Sequence, residues 1–264
     1  MNEDKTLAEL LEKKEKLVAM LAPSFPLSFS YPAIITMLRR LGFTYVVEVA
    51  VGAKKTNEEL HALLKKDPTA RFITSPCPTV VRMIKKTMPQ YAKYFTYDVD
   101  SPMVATAKIV REKYPGYRPV FIGPCAMKKL EGSEDVPELD ILVLTYMELQ
   151  RIFDATHIPE EANPDEQFDL SEPGETLMYP LDGGLSFSSG LTKQLSSSEE
   201  VKIVSCKENI EAIKEFDANP KIRLLDILNC PGGCISGPGI KSTLSVEERK
   251  KKILEYYKAR TNNL

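Results

Sequence analysis

Four of the five cysteines stand on three separated stretches whose residue types suit a soft metal: Cys77 in Thr74-Ser75-Pro76-Cys77-Pro78, Cys125 in Gly123-Pro124-Cys125-Ala126-Met127-Lys128, and Cys230 with Cys234 in Asn229-Cys230-Pro231-Gly232-Gly233-Cys234. Each follows a short apolar run that reads as a strand, Phe72-Ile73, Val120-Phe121-Ile122 and Leu224-Leu225-Asp226-Ile227-Leu228. The thiols are therefore expected at strand ends, the edge where open α/β sheets bind ligands. Prolines beside each cysteine and glycines around the last pair keep the backbone out of helix and sheet, which leaves N–H groups free to face an anionic sulfur cluster. One buried cysteine is ordinarily a small hydrophobe. Four in such turns point to one soft-metal site assembled from distant segments.

Zinc sites commonly offer two C-x₂₋₄-C pairs, whereas only Cys230 and Cys234 are close in this sequence. Disulfides are disfavoured, because the charged N-terminus does not read as a signal peptide and a chain of 264 residues folds without covalent staples. Four thiolates with no histidine among them favour an iron–sulfur cluster, with zinc as the alternative.

The three stretches resemble the signature segments of the catalytic domain of [FeFe]-hydrogenases, T-S-C-C-P, P-C-x-x-K-x-x-E and E-x-M-x-C-x-x-G-C. They stand in this chain as T-S-P-C-P at 74–78, P-C-A-M-K-K-L-E at 124–131 and D-I-L-N-C-P-G-G-C at 226–234. Ala22-Pro23-Ser24 is similar to the family's early loop beside the active-site metal, and Asp182-Gly183-Gly184 to its G-G turn, so the likeness runs in order over residues 15–240.

The resemblance implies an H-cluster, a [4Fe–4S] cubane joined to a two-iron unit that carries CO, cyanide and a bridging dithiolate. By position, Cys77, Cys125, Cys230 and Cys234 would ligate the cubane, with Cys234 also bridging to the two-iron unit. Lys128, with three donors and a full charge, would face one cyanide. Ala22, Pro23 and Ser24, with Gly183 and Gly184, would border the cofactor. Glu131, Glu59 and Thr96 fall where the family's proton-delivering groups lie, Ser75 is a further hydroxyl near the site, and Ala62 replaces a second channel acid.

Two departures bear on the chemistry. The family pattern has a proton-passing cysteine before the first cubane ligand, and this chain has Pro76, with neither an acidic side chain nor an amide hydrogen. Loss of a positioned acid or base typically costs about 10²–10⁴-fold in rate. Two methionines that pack on the two-iron unit in the family are replaced by Gly123 and Leu228, which alters the surroundings of the metal.

The elements that must position these residues alternate. Helices are predicted over 6–16, 31–41, 56–66 with Thr56 as N-cap and Glu59 at N3, 79–87, 102–113, 145–155, 207–217 and 245–260. Strands are predicted over 17–22, 45–51, 71–74, 119–122, 140–144, 201–205 and 222–228. The alternation indicates an α/β fold with largely parallel sheets. The resemblance implies one catalytic domain of two lobes, 15–135 and 136–240, each a twisted sheet flanked by helices, with the metal cluster at the lobe interface and a C-terminal helix within 241–264. The Pro-, Glu- and Asp-rich stretch 157–176 reads as an exposed excursion, Cys206 as structural, and His61 and His157 as solvated.

A formal charge of −2 argues against a nucleic-acid binder, and no apolar run approaches the ~20 residues needed to span a bilayer. Reduced thiols and an oxygen-sensitive cofactor imply the cytoplasm of an anaerobic cell. With one cysteine to spare, electrons are expected from an external carrier such as ferredoxin or from a partner subunit, and hydrogenase maturation proteins would be further partners. Three readings follow. A minimal [FeFe]-hydrogenase catalysing 2H⁺ + 2e⁻ ⇌ H₂ through a non-cysteine relay is favoured, followed by a hydrogen sensor of low turnover. The third is an iron–sulfur assembly protein of hydrogenase-like type, against which the presence of Lys128, Glu131 and the Ala22-Pro23-Ser24 loop speaks.

Overall fold

A computed structural model describes residues 3–67, 69–96, 99–193 and 195–262. In order, the chain forms α1 (Glu3–Glu12), β1 (Leu17–Leu21), α2 (Ala33–Leu41), β2 (Tyr45–Glu48), α3 (Ala50–Lys66), β3 (Phe72–Ile73), α4 (Pro78–Thr87), α5 (Pro102–Lys113) and β4 (Arg118–Gly123). There follow the short α6 (Lys128–Leu130), β5 (Leu142–Thr145), α7 (Tyr146–Thr156), α8 (Gly184–Ser189), β6 (Glu200–Ser205), α9 (Asn209–Ala218), β7 (Ile222–Leu228) and α10 (Val246–Thr261). One sheet runs β2-β1-β4-β5 and the other β3-β7-β6, with every named pair parallel. The uninterrupted apolar run of β1, buried at each position, suits a central strand covered on both faces. This is the α/β fold with parallel, helix-flanked sheets that the alternation predicts.

The expected division at 135/136 does not separate the two sheets. β3, two residues long, pairs with β7 through Phe72↔Leu224 and Ile73↔Leu225, while β5 pairs with β4. The segment between α3 and α5 thus crosses to the second sheet and returns. That excursion places Cys77 beside the turn that follows β7.

Two further expectations change. The β-branched run 45–51 is strand only as far as Glu48, and α3 begins at Ala50 rather than at Thr56. A small-residue helix face is required there, since a Cβ on Gly52 would stand 2.3 Å from Pro102 O of α5, and packing overrides strand propensity. Thr56 is therefore no N-cap. It lies inside the helix and donates to Gly52 O and Asp100 O. The stretch 157–176 is a strap along the free edge of β2. Asp169 N donates to Val46 O, Glu48 N to Leu170 O, and Arg39 pairs with Glu166 at 2.8 Å and Asp169 at 2.9 Å.

α10 starts in a capping box, Ser245 with Glu248. Its Arg249 donates to Ile235 O, Ser242 O and Leu244 O, and so clamps the chain that follows the last cysteine. At its far end Tyr256 OH donates to the fully buried Glu48 at 2.6 Å, with Arg260 3.8 Å from the other carboxylate oxygen. Burial pushes the Glu48 carboxyl up to about 7, against the opposing pull of Tyr256 and Arg260. Among the described residues no helix is long and apolar enough to cross a membrane.

Candidate metal centre

The cysteine stretches leave β3, β4 and β7 at their C-terminal ends. Cys77 is the N-cap of α4, whose first residue is Pro78, a position where the missing N–H costs nothing. Cys125 lies between β4 and α6, and Cys230 and Cys234 lie beyond β7. Every pair among the four thiols is within electrostatic reach. Burial first, and the neighbouring thiols with it, raises Cys125, Cys230 and Cys234 above the ordinary thiol range, with Cys230 pushed up to about 11. Lys128 partly opposes this at Cys125 and Cys234. Metal binding must displace those protons, so affinity falls as pH is lowered.

Among the described residues no three Cys, His, Asp or Glu side chains close around one point as for a single ion. With a Zn–S bond of about 2.3 Å, thiolates on one zinc would lie within about 4 Å of one another. A cluster that offers one iron to each thiolate needs the wider spacing. The donor set, four thiols from three turns, fits a [4Fe–4S] cluster on both chemistry and placement.

The turn that carries Cys230 and Cys234 is fixed from outside. Gly233 has φ +99°, and a Cβ there would meet Pro180 O at 2.3 Å. Leu181 bridges to Gly233, and Asp182 N donates to Gly232 O. Gly183 and Gly184, expected to border the cofactor, belong to this buttress and do not line the cavity beside it. That cavity, open on one side to solvent, is bordered by Ala22, Pro23, Ser24, Cys125, Lys128 and Cys234. Phe121 also lines it, and its ring crosses the place a side chain at Gly123 would take, Cε1 lying 2.5 Å from such a Cβ. The room left by one missing methionine is thus already filled.

The groups expected to serve a ligand in the cavity are engaged with the protein. Lys128 Nζ donates to Pro76 O at 3.0 Å and to Ser101 Oγ at 3.1 Å, and forms an ion pair with Glu131, 2.5 Å from Oε2. Glu131 Oε1 accepts from Ser101 Oγ at 2.5 Å. Tyr146, fully buried, gives its only hydroxyl proton to Ala22 O, so Ser24 Oγ, 2.9 Å away, donates to Tyr146.

Glu59 accepts from Asp100 N at 2.9 Å, and Thr96 meets Ser75 at 2.9 Å beside a small second pocket behind Pro76. Neither Glu59 nor Thr96 reaches the main cavity. His61, expected in solvent, is bonded to Ser189 O at 2.7 Å, while His157 is exposed.

Sequence reasoning missed Tyr146 and Asp226. Asp226 lines the cavity from β7, accepts from Ser186 N and Oγ, and is raised by burial. A lone acid in the run Leu224-Leu225-Asp226-Ile227-Leu228 was the available signal for it.

The sequence profile of the iron-only hydrogenase large subunit, C-terminal domain, matches residues 15–238. HydA1, an [FeFe]-hydrogenase from Chlamydomonas reinhardtii, has a similar fold in a variant form, with a TM-score of 0.76 at 19% identity over 97% of this chain and 88% of that one. An apo variant of the same enzyme gives 0.75 at 20% identity over the same shares. Among curated relatives, the cytosolic Fe-S cluster assembly factor NAR1 of Encephalitozoon cuniculi (strain GB-M1) is 26% identical over 68% of this chain and 54% of its own. The probable cytosolic Fe-S cluster assembly factor oxy-4 of Caenorhabditis elegans is 25% identical over 84% of this chain and 60% of its own. The chain therefore spans a little over half the length of these relatives. Profile, topology and the order of the cysteine turns agree: the chain belongs to the iron-only hydrogenase large subunit, C-terminal domain family.

Proposed function

We propose that this chain holds one [4Fe–4S] cluster on Cys77, Cys125, Cys230 and Cys234 and acts in iron–sulfur cluster assembly, not in hydrogen turnover. What carries this reading is the engagement of Lys128, which donates to Pro76 O and Ser101 Oγ and forms an ion pair with Glu131. Lys128 and Glu131 are thereby accounted for as a buried pair that braces the Cys77 and Cys125 turns, and their presence no longer argues for cyanide binding or proton delivery. Proline at 76 supplies no relay, and two curated relatives are named as assembly factors. The cluster supplies exchangeable iron and sulfide when bound. The protein's part is to present four thiols, exclude water from Cys77 by burial, and fix the last turn through Gly233. Its partners would be proteins that give or accept a cluster, and its setting the cytoplasm.

A second reading keeps one specific support, the cavity beside Cys125, Cys234 and Ser24, where a further group could sit next to the thiols. On that reading the chain is a hydrogenase or hydrogen sensor served by ferredoxin or a similar carrier and by maturation proteins. Anaerobic reconstitution with iron and sulfide separates the two. The expected result is one cubane by iron, sulfide and electron paramagnetic resonance, lost on replacing Cys77, Cys125 or Cys234 and transferable to an apo acceptor. After addition of a synthetic two-iron complex, infrared bands of metal-bound CO and cyanide with H₂ evolution would favour the second reading.

A further inference from the structure

We infer that Cys206 is a fifth thiol of the cluster site, placed to replace Cys230 as the ligand of one iron; this rests on the [4Fe–4S] reading above. Sequence alone gives this cysteine a structural role, yet it is not sealed in a core. It is half-buried, at the end of β6 and one turn before α9.

The sheet determines what lies next to it. β6 and β7 run parallel with Ser205 opposite Leu228. Cys206 therefore leaves the sheet beside Asn229, with Cys230 the next residue along. The two thiols are within electrostatic reach of each other. Asn209, 2% exposed, ties the two strand ends together by donating from Nδ2 to Leu228 O at 3.0 Å. Its Oδ1 is buried with no hydrogen-bond partner among the described residues. A buried acceptor without a donor is uncommon, and this one stands between the ends of β6 and β7, where Asn209 holds Leu228 O. On the outer side Cys230 is followed by the exposed Pro231. Cys206 is thus a fifth thiol at the same sheet edge, next to Cys230.

The exchange balances without a redox partner. An Fe–S bond forms at Cys206 and one breaks at Cys230, while the proton of the Cys206 thiol passes to the released Cys230 thiolate. Such a shift exchanges one half-buried ligand for its neighbour and suits a protein that gives up its cluster.

Reconstitution of C206S, C230S and the double variant C206S/C230S with iron and sulfide tests this. C206S is expected to carry a full cluster. C230S is expected to keep its cluster by using Cys206, and the double variant to hold iron about 10–100-fold more weakly against a chelator than C230S does. Equal retention by C230S and C206S/C230S overturns the inference. A second measurement leaves all four proposed ligands intact: transfer to an apo acceptor is expected to be about tenfold slower from C206S than from the wild-type chain, and an equal rate overturns the inference. If the wild-type chain itself takes up no cluster, the four-thiol reading fails and this one with it. If it does take one up, only the role of Cys206 is at stake.

Discussion

Lys128 Nζ stands 2.5 Å from Glu131 Oε2, one helical turn along, and both side chains are nearly sealed from solvent. Removing one member strands a buried charge, at about 3–5 kcal/mol, whereas replacing both by apolar side chains is often neutral. K128M and E131L are each expected to lower the stability of the apo protein by that order, and K128M/E131L to regain most of it. Thermal unfolding of the four proteins checks this. An apo K128M as stable as wild type would return Lys128 to the role of a ligand-facing cation.

Pro76 contributes its carbonyl oxygen to Lys128, and a cysteine at 76 would keep that contact while adding a thiol. P76C, reconstituted with both iron units, is expected to evolve no more hydrogen than the wild-type chain, measured by gas chromatography. A gain of about 10²–10⁴-fold would instead point to hydrogen chemistry lacking only its relay.

Glu48 gives the fold a pH dependence of its own. With the folded carboxyl raised to about 7 from 4.5, the native chain holds a proton between those values that the unfolded chain has released. Stability falls as pH rises through that window, and the single-group contribution is roughly 3 kcal/mol. E48Q should flatten this part of the profile and be the more stable protein above pH 7. Denaturant melts from pH 4.5 to 8 that run parallel for the two proteins would contradict the assignment.

Gly233 and Gly174 make a controlled pair. G233A places a Cβ 2.3 Å from Pro180 O at φ +99°, and it should cost well over ~1 kcal/mol and impair cluster uptake. G174A meets nothing within 4 Å in extended backbone and should stay within about 0.5 kcal/mol. Melting temperatures and iron content read both.

The cysteine turns at the strand ends were legible because their signal is local: an apolar run, then proline or glycine around a cysteine. β3, β4 and β7 end where those runs end. The parallel sheets followed from alternation, but not their interleaving, because nothing near Phe72 and Ile73 records that their partners are Leu224 and Leu225. The start of α3 was misread since Val46, Val47 and Val49 look alike in sequence, and only the close approach of α5 at Gly52 makes the difference. For Lys128, the spacing to Glu131 was visible and is that of neighbours on a helix. Its other two oxygens, from Pro76 and Ser101, come from turns that only the folded chain brings together.

Because β3 is stitched to β7 across some 150 residues of chain, the timing of cofactor loading is constrained. A nascent chain that has emerged as far as Cys125 carries two of the four thiols and has nothing to hold Cys77 in place. More than a hundred residues must still leave the ribosome before Cys230 and Cys234 appear, on the same strand that anchors β3. On the four-thiol reading, a cluster can be completed only after translation has passed β7, and until then the early cysteines depend on the reducing state of their surroundings.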